Sequence, residues 1–203
     1  MFKFFSYHLY NIGVTIDKGK KVWGDEVLRK NDYIEIKGEI YKILGVNSNK
    51  HTLVLEKTDS SQTQLLSTQK GYKPYDFQGE EFTTGVPISL ESLKGKYVLL
   101  DFWAEWCDVC IKEIPALKEL YSKTDREKFE IIGIVGQSKP DAIKKLIDMY
   151  EIDWPQILSD EIVERYKIRR FPSSLILDKE GIVISSGLLG RSLEEKILSL
   201  LEK

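Results

Sequence analysis

Two cysteines, Cys107 and Cys110, are the only thiols among 203 residues. They stand three apart behind a Trp-flanked approach, Asp101-Phe102-Trp103-Ala104-Glu105-Trp106. A pair at that spacing can close into a disulfide and reopen, so the chemistry it points to is thiol–disulfide exchange. The alternative, two small buried hydrophobes, gives no reason for the aromatic approach or the spacing. Structural zinc takes about four ligands. Only His8 and His51 could join the two thiols, so no metal is expected.

Attack on a disulfide needs a thiolate. The residues after the pair have helical spacing, and a thiol at a helix N-terminus faces unpaired N–H groups and the positive end of the dipole. Cys107 is therefore the expected nucleophile. Cys110, one turn further in, is the expected resolving thiol, which attacks the mixed disulfide and releases the substrate. Asp108 works against Cys107, because a carboxylate beside a thiolate disfavours a second negative charge. Only a modestly acidic Cys107 is expected.

The elements that must position this pair are legible around it. Tyr97 to Trp103 reads as a buried strand and Cys107 to Ser122 as a helix. A strand from Phe129 to Val135, a helix from Pro140 to Tyr150, a short strand from Gln156 to Leu158 and a helix from about Asp160 to Tyr166 follow. Ser174–Leu177 and Val183–Ser186 read as a hairpin around Lys179-Glu180-Gly181, and Leu193 to Leu201 as a closing helix. Upstream, Pro74–Phe77 and Pro87–Leu90 flank a hairpin, and a helical turn at Leu90–Leu93 is stopped by Gly95. Strands alternating with helices predict parallel pairing through right-handed crossovers, with the last hairpin making the sheet mixed.

Residues 2–56 read differently, as strands separated by turns. Tyr33–Ile36, Ile40–Leu44 and Thr52–Leu55 predict a three-stranded antiparallel meander with turns at Lys37-Gly38 and Asn47–Lys50. Phe2–Phe5 and Ile12–Ile16 are expected to add strands to the same sheet, with Trp23, Val27 and Leu28 covering it. Thr58 to Lys70 is polar and weakly periodic, which suits a linker. The expected organisation is a small antiparallel β domain with linker over 1–70 and an α/β domain over 71–203.

Composition narrows the partners. With 42% hydrophobic residues the chain can build a core, and a net charge of −2 gives no reason to expect nucleic-acid binding. No run of about 18 apolar residues exists, so no membrane-spanning segment is expected. The aromatic stretch Met1–Tyr10 is interrupted by polar residues and does not read as an intact signal peptide.

The string Asp-Phe-Trp-Ala-Glu-Trp-Cys-x-x-Cys at 101–110 resembles the thioredoxin active-site motif, with Asp108-Val109 replacing that family's Gly-Pro. The run from Ile88 to Leu100, the trailing Glu113-Ile114-Pro115 and the extra strand and helix after the active-site helix resemble the TlpA/ResA-like thiol-disulfide oxidoreductases over 71–203. That resemblance implies an α/β fold with a thioredoxin-like mixed sheet flanked by helices, preceded by the small antiparallel β domain. It implies a redox-active Cys107–Cys110 disulfide and no organic cofactor. Asp101 matches the buried aspartate that helps deprotonate the resolving cysteine, and Glu113 matches the active-site glutamate of the TlpA/ResA branch. A carboxyl buried beside thiols has a raised pKa and can accept a proton near neutral pH. Pro115 matches the proline that bends the active-site helix.

Phe171-Pro172-Ser173 falls where the family places its cis-proline loop against the sulfurs. Trp106, Phe171 and Pro172 would then form an apolar rim for substrate, and Arg169 and Arg170 beside it would favour acidic partners. The implied partners are protein disulfides or dithiols and an upstream electron donor, with the protein acting as a reductant in an extracytoplasmic compartment. A redox-regulated binding module docking through the β domain, and a thiol peroxidase, are the alternative functions. Peroxiredoxins set a Pro-x-x-x-Thr-x-x-Cys pattern at this turn, where Trp103-Ala104-Glu105-Trp106 stands here.

Overall fold

A computed structural model describes the backbone of residues 4–8, 14–17, 20–23, 26–28, 33–36, 39–47, 52–58, 66, 68 and 70–202, and the side chains of 40–45, 53–58, 66, 68 and 70–202. The chain divides into two compact units, Met1–Leu65 and Leu66–Lys203.

In the first unit, strands β1 (Phe4–His8), β2 (Val14–Asp17), β3 (Lys20–Trp23), β4 (Glu26–Leu28), β5 (Tyr33–Ile36), β6 (Glu39–Asn47) and β7 (Thr52–Lys57) form two antiparallel sheets. The expected meander is β5-β6-β7, and β1 adds to its β7 edge with Phe5 opposite Leu55. The expectation for 12–28 is corrected. The strand there does not join the meander, because β2 pairs with β3 and β3 with β4 in a separate three-stranded sheet, and Trp23, Val27 and Leu28 lie within the strands of that sheet. Alternation tells which face a strand offers, but not which strand it pairs with. Tyr41, Ile43, Leu53 and Leu55 are buried, with Ile43 opposite Leu55 in the β6–β7 ladder. The turns expected at 37–38 and 48–50, and most of the linker, lie outside the described residues.

The second unit begins with the hairpin β8 (Gln78–Glu80) and β9 (Pro87–Ser89), followed by a 3-10 turn at Glu91–Leu93 and by Gly95 at a φ of 92°. Then come β10 (Tyr97–Trp103), α1 (Asp108–Ser122), β11 (Phe129–Val135), α2 (Pro140–Tyr150), β12 (Gln156–Leu158), α3 (Asp160–Arg165), β13 (Ser173–Leu177), β14 (Val183–Ser186) and α4 (Gly190–Leu201). The sheet order is β12-β11-β10-β13-β14. β10 and β12 both run parallel to β11, whereas β13 is antiparallel to β10 and to β14. This is the mixed, helix-flanked sheet expected of a thioredoxin-like domain.

Alternation along the central strands builds two cores. Leu99 and Trp103 of β10, with Phe129, Ile131 and Val135 of β11, turn toward α1, α2 and α4. Val98, Leu100 and Phe102, with Ile132 and Ile134, turn toward α3, Phe77, Ile88 and Tyr166. Strands buried on both faces need a near-continuous apolar run, and Tyr97–Trp103 supplies one with a single break, Asp101. Among the described residues no helix is long and apolar enough to cross a membrane.

Candidate active site

Cys107 ends the approach from β10 as the N-cap of α1. Its Sγ accepts a hydrogen bond from the Cys110 backbone N–H at 3.2 Å. The two sulfurs are joined in a disulfide. The helical geometry expected of the pair is therefore present, with Cys107 at the start of the helix and Cys110 one turn in. Cys107 is 7% exposed and Cys110 4%, because both belong to the core on the α1 side of the sheet. The openness lies in the neighbours: Trp106 is 56% and Val109 54% exposed.

Asp101 falls on the same face of β10 as Leu99 and Trp103, toward the core that contains both sulfurs. Register explains how a carboxyl fits there. Its two cross-strand neighbours are Gly133 of β11 and Ser174 of β13, one with no side chain and one with a small one. Although Asp101 is only half-buried as a residue, its carboxyl lies inside packed protein. That burial, with a smaller contribution from the charge of Glu113, pushes its pKa up to about 7. The two carboxylates singled out in the sequence are thus near enough to feel each other.

Glu113 is half-buried, one turn beyond Cys110. Its Oε2 accepts a hydrogen bond at 2.9 Å from the backbone N–H of Gly190, the first residue of α4. The N-cap of α4, Leu189, supplies no side-chain bond, so Glu113 takes over a role that a local Ser or Asp ordinarily fills. Pro115 lies inside α1 on its exposed side, where it has no N–H to give the Ile111 carbonyl.

The Phe171–Pro172 bond is cis. Ser173 Oγ donates to the Arg170 carbonyl at 2.7 Å and closes the turn before β13. The Phe171 ring meets Trp106 edge to face, with centroids 5.7 Å apart. The structure therefore brings Trp106 and Phe171 together against the core that holds the disulfide, with Pro172 next to Phe171 in the chain. Arg169 and Arg170 just before it are exposed, and among the described residues neither makes an ion pair.

Sequence reasoning missed the floor and the back of this site. Gln156, buried beneath Gly133, accepts the Trp103 indole N–H at 2.9 Å and donates to the Trp154 carbonyl at 3.1 Å. Behind Trp106 stand Gln137, Ser138 and Asp160. One signal pointed there: Gly136-Gln137-Ser138 leaves the carboxyl end of a parallel strand, where α/β sheets gather their functional groups.

Comparison with known proteins agrees with this geometry. A family model described as the AhpC/TSA family matches residues 70–186. The thiol-disulfide oxidoreductase ResA of Bacillus cereus is 33% identical over 147 residues, covering 71% of this chain and 81% of that protein. ResA of Bacillus subtilis is 30% identical over 127 residues, covering 60% of this chain and 70% of the relative. Among solved structures, the thioredoxin domain of a thiol-disulfide oxidoreductase from Bacteroides vulgatus superposes with a TM-score of 0.61 at 30% identity, covering 66% of this chain and 98% of that one. With a thioredoxin-like sheet, a Cys-x-x-Cys disulfide at the start of α1 and relatives of this kind, the chain belongs to the AhpC/TSA family and, within it, to the ResA-like thiol-disulfide oxidoreductases.

Proposed function

We propose that the protein reduces disulfides in protein substrates outside the cytoplasm, holding its two electrons in the Cys107–Cys110 pair and needing no organic cofactor or metal. The observation that carries this reading is the disulfide itself, capping α1 beside the rim of Trp106, Phe171 and Pro172. In the reduced protein, the Cys107 thiolate attacks a substrate sulfur, forming a mixed disulfide and expelling the other substrate sulfur as a thiolate. Cys110 then loses its proton to Asp101 and attacks Cys107 Sγ. The Cys107–Cys110 bond forms, the mixed disulfide breaks, and the second substrate sulfur leaves. Substrate gains two electrons and two protons, the protein is left oxidised, and an upstream dithiol donor must reduce it again.

Asp101 suits the proton step because its pKa, pushed up to about 7, lets it both take and return a proton near neutrality. Glu113 assists through its charge. Arg169 and Arg170 favour substrates with acidic residues near the disulfide, over distances within a Debye length of about 8–10 Å. The resemblance to the TlpA/ResA branch supports the reductant direction and the extracytoplasmic site. A thiol peroxidase lacks its threonine and proline here.

Turnover on a protein disulfide tests this reading, run beside Cys107→Ser and Cys110→Ser. Loss of activity in the first and a trapped mixed disulfide in the second are expected, and unchanged turnover in Cys107→Ser sinks it. A midpoint potential more oxidising than about −150 mV would overturn the reductant direction.

A further inference from the structure

Trp106 is more than half exposed, and its indole is nevertheless held. Its Nε1–H donates to the Gln137 carbonyl at 2.9 Å while its ring edge meets Phe171. The carbonyl that holds it belongs to a residue in an unusual conformation. Gln137 has a φ of 51°, a left-handed value that a side chain larger than glycine adopts at a cost and keeps only where its surroundings impose it.

Those surroundings are specific. The Gln137 backbone N–H donates to Asp160 Oδ1 at 2.5 Å. On one side the loop is stitched to the approach of the nucleophile by Gly136 N–H to the Trp103 carbonyl at 3.1 Å and Glu105 N–H to Ser138 Oγ at 3.1 Å, and it is closed on itself by Ser138 Oγ–H to the Gly136 carbonyl at 2.8 Å. On the other side it is wedged. A Cβ at Gly136 would stand 2.7 Å from Val163 Cγ2 and 3.2 Å from the Phe171 ring. Asp160 is the part of this arrangement that reaches the loop from outside, from the first turn of α3, whose cap is already provided by Ser159 accepting from Ile162 N–H.

We infer that Asp160 is a positioning residue for disulfide exchange: through the Gln137 backbone it fixes the carbonyl that sets the Trp106 indole beside Phe171 and Pro172, so the substrate rim is formed before substrate arrives. Asp160 touches neither sulfur. A preset rim saves the ordering cost that a free exposed indole would impose on binding, so the effect falls on capture of a protein or peptide substrate, not on the sulfur chemistry. This rests on the proposed function, and the competing roles of Asp160 separate cleanly. If it acts as a charge at the start of α3, Asn cannot replace it. If it acts as an acceptor for Gln137 N–H, Asn can.

The test uses the full chain with Asp160→Ala and Asp160→Asn. Two quantities are read: the indole 1H–15N resonance of Trp106, assigned with Trp106→Phe, and KM and kcat on a disulfide-linked peptide, with the small disulfide reagent dithionitrobenzoate as control. Asp160→Ala is expected to shift the Trp106 indole signal, speed its hydrogen exchange and raise peptide KM several-fold. Its kcat and its rate with the small reagent should change less than twofold. Asp160→Asn is expected to restore all of these. The inference is overturned if Asp160→Ala leaves the indole signal and KM as in the parent, or if Asp160→Asn behaves as Asp160→Ala does. Should the parent protein reduce no peptide disulfide, the proposed function fails instead, and the indole signal alone decides whether Asp160 holds Trp106.

Discussion

Glu113 Oε2 accepts the Gly190 N–H at 2.9 Å, so the helix that begins with the nucleophile also supplies the cap of the last helix. Two consequences separate by substitution. Glu113→Ala removes the acceptor and should cost about 1 kcal/mol of stability, whereas Glu113→Gln keeps it and should cost little. Both remove the charge that raises Asp101, so both should move the Asp101 inflection to lower pH. Urea unfolding and a pH–rate profile read the two effects independently.

Asp101 makes the oxidised protein less stable as pH rises. Its folded pKa is about 7, against about 3.9 in an unfolded chain. The native state therefore keeps a proton that the unfolded state has released. The resulting stabilisation is full below about pH 4 and gone above about pH 7, about 4 kcal/mol in all. Asp101→Asn should flatten this dependence in urea unfolding at about pH 4 and about pH 8. Turnover should show the opposite slope, rising through the same inflection as Asp101 ionises. In Asp101→Asn it should fall by on the order of 100-fold without the inflection.

Among the described glycines, Gly133 is the one where an added Cβ would meet its nearest neighbour at the shortest distance. A Cβ there would lie 2.0 Å from Gln156 Oε1, the atom that accepts the Trp103 indole N–H, and the same glycine leaves room beside Asp101. Gly133→Ala should displace Gln156, leave the Trp103 donor buried without a partner and cost about 2–3 kcal/mol. A fall in thermal midpoint with a shifted Trp103 indole resonance checks it. An unchanged midpoint would contradict the packing described.

Arg169 and Arg170 should act on encounter rather than chemistry. Replacing both with Glu is expected to raise KM several-fold for a peptide whose disulfide is flanked by Asp and Glu, and to lower it for one flanked by Lys. Both effects should fade in about 1 M salt, where the Debye length falls to about 3 Å. Equal KM for both peptides in parent and variant would remove charge from the account of substrate choice.

Much of the second unit is legible in sequence because each element declares its own period. Tyr97–Trp103 and Phe129–Val135 are apolar runs of strand length, and α1 and α2 carry their buried residues at helical spacing. The motif residues at Cys107, Cys110 and Pro172 are legible for the same local reason. What the chain conceals is set by register and by distant closure. That Asp101 lies between Gly133 and Ser174 follows from ladder alignment, and the Glu113–Gly190 bond spans 77 positions. Gln137 offers no cue of its own to a left-handed backbone; the bond from Asp160, 23 residues away, helps hold it there. The separate β2-β3-β4 sheet was hidden likewise, since its strands look no different from those of the meander.

The bond from Cys110 N–H to Cys107 Sγ makes the reacting atom and the helix cap one sulfur. A thiolate is a stronger acceptor than a sulfur in a disulfide, so this bond, already present in the disulfide form, should tighten when the pair is reduced and Cys107 carries the charge. The Cys110 amide should then act as an electrometer built into the backbone, exchanging its hydrogen more slowly in the reduced protein than in the oxidised one.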